Sequence, residues 1–316
     1  TDGRTIRGKV RELNGGVGRN LADAIGRLIQ VPPILVSAVG NDALGKKLLD
    51  DIPHVNKGAV LLSESNTACA NVLLDKNGEC VIIIGDMDIH QEITPQKVPY
   101  FENILKKSNF VVFDGNIPLE TMELILRVSH QHNIPVWFEP TDITIAAKPF
   151  QIKNLWKNIT FISPNLYELL EISKTLNKGK QQNFDVFDFA SLNEDEIIKK
   201  AVEHALPLAS FLPTIMVTIG VHGVLLLTRN SQDSIIRIHH YKAQYISKIV
   251  NVSGAGDSLA AGFIAGLLRG HSESEAIAAG LNAASLALQS ENTVSKSLVW
   301  KTPAEGAEFA ALRVCS

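Results

Sequence analysis

The chain has 316 residues, of which 45% are hydrophobic and 20% are charged, and its formal net charge at pH 7 is −3. This balance is typical of a globular protein rather than a disordered or fibrous one, and the lack of a basic patch argues against DNA or RNA as a partner. The three cysteines stand singly along the chain, which indicates free thiols in the cytoplasm. The longest apolar stretch, residues 259–268, is too short to span a membrane and predicts a packed core helix.

Short apolar runs alternate along the chain with segments of helical spacing. The runs are rich in β-branched residues and apolar throughout, which suits strands that are buried on both faces of a sheet. They cover residues 34–40, 80–84, 110–116, 134–139, 159–163, 214–220 and 224–227. The helical segments cover residues 19–29, 41–50, 118–131, 166–175, 194–207, 256–269 and 273–288. This order predicts an α/β fold with a doubly wound, mostly parallel sheet flanked by helices.

Two segments depart from this rhythm. Within residues 59–84, two extended runs flank Lys76, Asn77 and Gly78, and an Asn-Gly pair between such runs is a strong signal for a β-hairpin, which could form a flap. Residues 178–194 are polar and irregular, and they predict a solvated surface loop to which we assign no role.

The strongest chemical signal is NVSGAGDSLAAGF at residues 251–263, which follows a strand-like run at 245–250 and opens a helix of small residues. Backbone N–H groups at a helix N-terminus are unpaired and, with the helix dipole, favour an anion such as a phosphoryl group in transfer. Asp257 lies in the first turn, where a carboxylate can accept the proton of an attacking hydroxyl. The alternative is a tight turn followed by a charge that only stabilises the helix. The anion site would consist of Gly254, Ala255 and Gly256.

A second glycine cluster, NGGVGRN at residues 14–20, also leads into a predicted helix. Gly15 and Gly16 would let the backbone approach a ligand closely, and Asn20 could point both groups of its amide at sugar hydroxyls. A plain loop is the alternative. The cluster fails as a dinucleotide-binding fingerprint, because Leu21 occupies the position of the third glycine.

Two further pairs of residues stand at predicted strand ends. Asn165 and Glu168 follow a buried strand and share one face of the helix that begins there, which suits phosphate or metal-bound water at the edge of an open sheet. Asn165 could equally be an ordinary helix cap. Thr218 ends another strand and is followed by Gly220 and Gly223, a turn that could also be part of a hairpin.

Several other chemistries lack their signals. Residues 40–47, GNDALGKK, nearly spell a phosphate-binding P-loop, but Lys47 stands where a hydroxyl is needed to hold Mg²⁺. The histidines form no HExxH pattern for zinc, and no GxSxG elbow supplies the nucleophile of a serine hydrolase.

Taken together and in this order, the motifs resemble those of the ribokinase, or PfkB, family of carbohydrate and nucleoside kinases over essentially the whole chain. GGVGRN is similar to the family's sugar-binding signature, the pair Asn165 and Glu168 to its NxxE motif, TIGVHG to its nucleotide-binding turn, and NVSGAGD to its anion hole and base. Within the family, the arginine in GGVGRN, GDMDI at 85–89, Asn251 and SENTVS at 290–295 most resemble pseudouridine kinases.

The resemblance implies transfer of a phosphoryl group from ATP to the 5′-hydroxyl of a small nucleoside or sugar, with Asp257 as the base. It implies one kinase domain over residues 1–316, whose lid strands lie within about 1–14 and 59–90 and close over the sugar. Lids of this kind often pair, so a homodimer is expected. The implied ligand sets are Gly15, Gly16 and Asn20 for the sugar, Asn165, Thr218, Gly220 and Gly223 for ATP, and Glu168 for Mg²⁺ through water.

The sequence departs from the family pattern in two places. Asn251 stands where many relatives carry Asp, so a charged ligand for an activating monovalent cation would be lost. Relatives begin with a strand that ends in an acidic, sugar-binding residue, and nothing before Thr1 supplies it, so we expect weak sugar binding and little turnover. The alternatives to a pseudouridine kinase are a kinase for ribose, fructose or adenosine, and a relative that binds ligands without catalysis.

Overall fold

The structure of the protein is a computed structural model that describes residues 7–74, 80–177, 189–229, 235–302 and 310–312. The helices are α1 (Val17–Ile29), α2 (Ala43–Asp50), α3 (Phe101–Lys106), α4 (Leu119–Gln131), α5 (Leu166–Leu176), α6 (Glu194–Ala209), α7 (Ala255–Leu268) and α8 (Glu273–Leu288). The strands are β1 (Ile34–Gly40), β2 (Asn56–Ser63), β3 (Cys69–Leu74), β4 (Cys80–Asp86), β5 (Val111–Asp114), β6 (Val136–Glu139), β7 (Phe161–Ile162), β8 (Thr214–Thr218), β9 (Val224–Arg229), β10 (Ile236–Tyr241) and β11 (Ala310–Leu312).

The central sheet has seven strands in the order β11-β10-β9-β8-β7-β6-β5. The strands from β5 to β8 are parallel, with Val111 opposite Val136 in the first pair, and β9, β10 and β11 continue the sheet as an antiparallel edge. The predicted α/β fold with a mostly parallel sheet and flanking helices is confirmed. The turn at Gly220–His222 joins β8 to β9, so the hairpin that the sequence left open is present.

Helices cover both faces of this sheet. Because alternate residues of a strand point to opposite faces, one strand contributes side chains to two cores. Val136 and Phe138 of β6 belong to the core formed with α4, α5 and α6, whereas Trp137 belongs to the core formed with α1, α7 and α8. On that second face Trp137 stacks on Phe161 at a centroid distance of 5.5 Å. The apolar runs at 134–139 and 214–220 were therefore read correctly as strands buried on both faces.

Helix α7 contains the apolar stretch 259–268 and is buried over most of its length. It packs so closely on α8 that a Cβ atom at Gly262 would lie 2.6 Å from the Cα atom of Gly280. The prediction of a packed core helix is confirmed. Over the described parts of the chain, the structure contains no helix that is long and apolar enough to cross a membrane.

Two small sheets stand apart from the central one. β1 and β2 pair in parallel, and β3 and β4 form the predicted antiparallel hairpin, with Val72 opposite Ile83; residues 76–78 of its predicted turn lie outside the described residues. Two expectations fail here. The run at 34–40 is a strand outside the seven-stranded sheet, and residues 81–84 of the run at 80–84 are exposed, Ile83 by 60%.

Three other segments differ from their predictions. Residues 245–250 form no strand, although β10 precedes them. Of the predicted loop 178–194, residues 178–188 lie outside the described residues; the rest is not simply solvated, because Phe189 is buried in a short 3₁₀ helix and packs on Tyr167 at 4.9 Å. Of the segment 1–14, in which lid strands were expected, residues 7–14 are described and form no strand.

Candidate active site

A cavity of about 170 Å³ lies at the carboxyl ends of the central parallel strands, where an open α/β sheet usually binds its ligands. It brings together residues that are far apart in the sequence. Its lining includes Val17, Glu139, Thr141, Ser163, Asn165, Glu168, Thr218, Gly254, Gly256 and Asp257. Residues from three of the sequence motifs therefore surround one cavity. The lining residues that were predicted as site residues are Asp257, Gly254, Gly256, Asn165, Glu168 and Thr218.

The turn before Asp257 depends on glycine. Gly254 precedes helix α7 with a φ of 82°, in the left-handed region, and a Cβ atom there would lie 2.1 Å from the carbonyl oxygen of Thr293. The first bond of the helix runs from Ser258 N to Gly254 O at 2.9 Å, so the earlier N–H groups have no partner within the helix. Ala255 N makes a long contact of 3.4 Å with Val252 O, and Ala255 does not line the cavity.

The Asp257 carboxylate is almost fully buried at the edge of this cavity. Burial raises its pKa to about 6, the nearby charge of Asp114 acts in the same direction, and the hydrogen bond from Asn20 and the charge of Arg19 act against it. At neutral pH the carboxyl group is therefore ionised, and its pKa is close to the value that suits a general base.

Asn20 reaches Asp257 from helix α1. Its Nδ2 atom donates to Asp257 Oδ2 at 2.6 Å, while its Oδ1 atom accepts from Arg19 Nη2 and lies 3.2 Å from Thr293 Oγ1, whose hydrogen is donated to Asn14 O at 2.7 Å. Oδ1 thus faces Arg19 and Thr293 inside the protein, and Nδ2 supplies the hydrogen that remains for a ligand. The expectation that both amide groups face a sugar is corrected on this point.

The glycines of the NGGVGRN motif at residues 14–20 lie beside Asn20. Gly16 precedes α1 with a φ of 93°, and Gly15 is exposed, with open space where its Cβ atom would be. Neither lines the cavity described above. Gly18 N donates to Asp114 Oδ2 at 3.1 Å, which ties the start of α1 to the end of β5.

Asn165 and Glu168 form a capping box at the start of α5. Asn165 Oδ1 accepts from the N–H groups of Tyr167 and Glu168, and Glu168 Oε2 accepts from Asn165 N at 2.8 Å. The helix-cap reading is therefore correct, and both residues also border the cavity. Burial is the main cause that raises the pKa of Glu168 to about 7.

Glu139 is a buried carboxyl group that sequence reasoning missed. It ends β6, and its Oε2 atom accepts from Ser163 Oγ and, at 3.4 Å, from Trp137 Nε1. Burial is the main cause that raises its pKa well above the usual range. Its position at the end of the run at 134–139 was the available signal, because an acidic residue at the carboxyl end of a buried strand points to the ligand edge of the sheet.

The donor set at the cavity fits a magnesium ion that keeps part of its water. Within the described ranges, no group of three or more His, Cys, Asp or Glu side chains is placed to hold a metal by itself. Glu139 and Glu168 each have one carboxylate oxygen outside the hydrogen bonds above, and both line the cavity. Mg²⁺ in phosphate-transfer sites is usually held by one or two carboxylates together with phosphate oxygens and water.

The residues predicted for the nucleotide separate in space. Thr218 lines the cavity and forms an isolated parallel bridge with Asn165. Gly220 and Gly223 lie in the β8–β9 turn with φ values of 63° and 99° and do not reach the cavity. A Cβ atom at Gly223 would lie 2.1 Å from the carbonyl oxygen of Tyr241, so packing of the turn is enough to require this glycine.

Comparison with known proteins places these features in a family. Residues 4–300 match the sequence model described as "pfkB family carbohydrate kinase". The chain is 24% identical to a pseudouridine kinase of Arabidopsis thaliana, over 92% of this chain and 86% of that protein, and 27% identical to one of Escherichia coli, over 90% and 83%. The solved structure of Arabidopsis thaliana ribokinase complexed with ribose and ATP superimposes with a TM-score of 0.73 at 22% identity, covering 93% of this chain and 89% of that one.

Proposed function

Because the chain belongs to the pfkB family of carbohydrate kinases, we propose that it transfers the γ-phosphoryl group of ATP to the 5′-hydroxyl of pseudouridine. The enzyme class, a phosphotransferase that acts on a hydroxyl group, follows from the family itself. The observation that carries the proposal is the Asp257 carboxylate, which is buried at the cavity edge beside the turn of Gly254 and Gly256 and is held by Asn20.

In the proposed reaction the hydroxyl oxygen of the substrate attacks the γ-phosphorus of ATP while Asp257 takes the hydroxyl proton. ADP leaves with the electrons of the broken P–O bond. Asp257 Oδ2 accepts from Asn20, which leaves Oδ1 for the incoming proton. The N–H groups at the start of α7 stabilise the charge on the transferring phosphoryl group.

The remaining assignments follow the same reaction. ATP would lie along Asn165, Thr218 and the turn at Gly220 and Gly223, which is supported by the position of the first two at the cavity. Magnesium, when bound, would screen the phosphate charges, and Glu168 would hold it through water, with Glu139 as a second carboxylate.

The sugar would bind at the start of α1. The remaining Nδ2 hydrogen of Asn20 is available to a hydroxyl, and Gly15 and Gly16 beside it are exposed. Pseudouridine is favoured because two relatives are named pseudouridine kinase. Ribose is the second candidate, because a structural neighbour at 22% identity is a ribokinase complexed with ribose and ATP.

We also propose that β3 and β4 act as a lid and that two lids pair in a homodimer. The support is a hairpin whose apolar side chains are exposed by between 50% and 63%, which is unusual for a strand pair in water. The most exposed set is Val72, Leu73, Val81, Ile82, Ile83 and Ile84. The single cysteines of the sequence support a cytoplasmic location.

A substrate panel tests the proposal. The purified full chain is incubated with ATP, Mg²⁺ and pseudouridine, uridine, adenosine or ribose, and the phosphorylated product is measured by mass spectrometry, with Asp257→Asn as the matched control. We expect product with pseudouridine first and loss of product in the variant. Product only with ribose or adenosine would transfer the assignment to another sugar kinase, and ATP binding without any product would favour the binding-only alternative.

A further inference from the structure

Thr293 connects parts of the chain that are distant in the sequence. It follows α8 and is buried, and its hydroxyl donates to the carbonyl oxygen of Asn14 at 2.7 Å. The Thr293 hydroxyl oxygen in turn accepts from Arg19 Nη2 at 3.0 Å, and it lies 3.2 Å from Asn20 Oδ1. Arg19 and the segment around Thr293 are also two of the features in which the sequence resembles pseudouridine kinases, and the structure brings them into direct contact.

Arg19 holds the loop that precedes α1. Its Nε atom donates to Gly15 O at 2.9 Å, and its Nη2 atom donates to Asn14 O at 3.0 Å as well as to Asn20 Oδ1. A guanidinium group can make these bonds together because its donors lie in a rigid plane. The arginine therefore joins the loop backbone to the amide group that touches Asp257.

These contacts decide which way the amide of Asn20 faces. Arg19 presents a donor to one end of the amide and Asp257 presents an acceptor to the other, so the end at Arg19 must be the oxygen. The nitrogen then faces Asp257 and donates to Oδ2 at 2.6 Å. With the amide turned around, its oxygen would face the Asp257 carboxylate and its N–H groups would face the donors of Arg19, and both contacts would be repulsive.

We propose that Arg19 and Thr293 are positioning residues for phosphoryl transfer, which fix the Asn20 amide and through it present Asp257 Oδ1 to the substrate hydroxyl. This inference rests on the proposed role of Asp257 as base. Neither residue would touch the reacting atoms, so both act through Asn20.

The backbone of Thr293 supports the other half of the same site. Its carbonyl oxygen lies where a Cβ atom of Gly254 would be, 2.1 Å from that position. Thr293 thus acts on the base through its hydroxyl contact with Arg19, which holds Asn20, and contacts the glycine turn through its carbonyl group. The geometry of the proton acceptor and that of the phosphate-binding amides are therefore set by a common neighbour.

Variants at position 293 test this role. Thr293→Val keeps the shape and removes the hydroxyl, and we expect kcat to fall about tenfold while KM for ATP changes by less than about twofold. Thr293→Ser restores the hydroxyl and should recover most of the loss. Ser295→Ala is the matched control, because Ser295 is buried in the same segment but bonds to Ser297 rather than to α1. A Thr293→Ser variant as slow as Thr293→Val would overturn the proposal.

A double-variant comparison separates this inference from the proposed function. If Thr293 acts through Asp257, Thr293→Val should have no further effect on the residual turnover of Asp257→Asn. A tenfold further loss there would show an independent structural effect and refute the positioning role. If Asp257→Asn itself keeps full turnover, the proposed function fails instead.

Arg19 provides a second route in case Thr293→Val does not fold. Arg19→Lys keeps the charge but cannot reproduce the planar set of donors, so we expect a loss of kcat of about tenfold, again absent in the Asp257→Asn background. Arg27→Lys on the same helix is the control, since Arg27 pairs with Asp23, away from the site. Equal effects of the two arginine substitutions would contradict the proposal.

Discussion

Replacing Asp257 by Asn should reduce turnover to a small residual rate and at the same time stabilise the fold. The buried carboxyl has its pKa raised from 3.8 to about 6, mainly by burial. At pH 8 its ionisation inside the fold therefore costs on the order of 3 kcal/mol relative to the unfolded chain. The variant avoids this cost, and its Oδ1 atom can still accept the hydrogen bond from Asn20.

The sign of the pH dependence follows from the direction of the shift. Because folding raises this pKa, the folded state binds the proton more tightly, and the free energy of unfolding of the wild type falls as pH rises from about 4 to about 6. The advantage of Asp257→Asn should be close to its full size at pH 8 and fall below about 1 kcal/mol at pH 4. For a chain of 316 residues, the full difference corresponds to a melting temperature about 4 °C higher.

Thermal unfolding of the two proteins at pH 8 and pH 4, followed by circular dichroism, measures this difference directly. Asp23→Asn is the matched control, because Asp23 is also buried on the inner side of α1 but accepts from Arg27 Nε at 3.0 Å. The substitution removes the negative charge that pairs with the Arg27 guanidinium group, so the control should melt lower than the wild type. An Asp257→Asn variant that melts at or below the wild type at pH 8 would refute the argument that this carboxylate is held desolvated.

Three further predictions follow from the site. The kcat of the kinase should rise about tenfold per pH unit below pH 6 and level off above it, since Asp257 must be ionised; an acid limb that survives in Asp257→Asn would contradict this. Gly254→Ala should lower kcat about a hundredfold, because the added Cβ atom would meet Thr293 O at 2.1 Å, whereas Gly270→Ala, with a similar φ of 79° and open space, should keep its kcat. Glu168→Gln should raise the Mg²⁺ concentration for half-maximal turnover about tenfold, and an unchanged Mg²⁺ titration would remove Glu168 from that role.

Local signals in the sequence were enough to predict many of the helices and strands. The run at 34–40 coincides with β1, and the segment predicted at 273–288 coincides with α8. The N-termini of such helices are marked by local residues. Ser272 forms a capping box with Glu275 at the start of α8, and Asn193 forms one with Glu196 at the start of α6. The hairpin of β3 and β4 was also predictable, because alternating extended runs around an Asn-Gly pair are a local property.

The site was predictable only in part. Asp257 and Gly254 were found because a glycine turn, a carboxylate and a helix start lie within a few residues. Glu139 was missed although it ends the apolar run at 134–139, because its burial comes from β6 lying inside the sheet. The contact between Thr293 and Arg19 was also invisible, since the two residues are 274 positions apart.

The sequence alone determined where most of the helices and the strands of the parallel sheet lie along the chain, and which motif places a carboxylate at a helix N-terminus. The tertiary structure alone decided which apolar runs are covered. β1 lies outside the central sheet and the β3–β4 hairpin is exposed, although their sequences are about as apolar as that of β6. Secondary structure follows from neighbours along the chain, whereas burial, pKa and amide orientation depend on groups that only folding brings near.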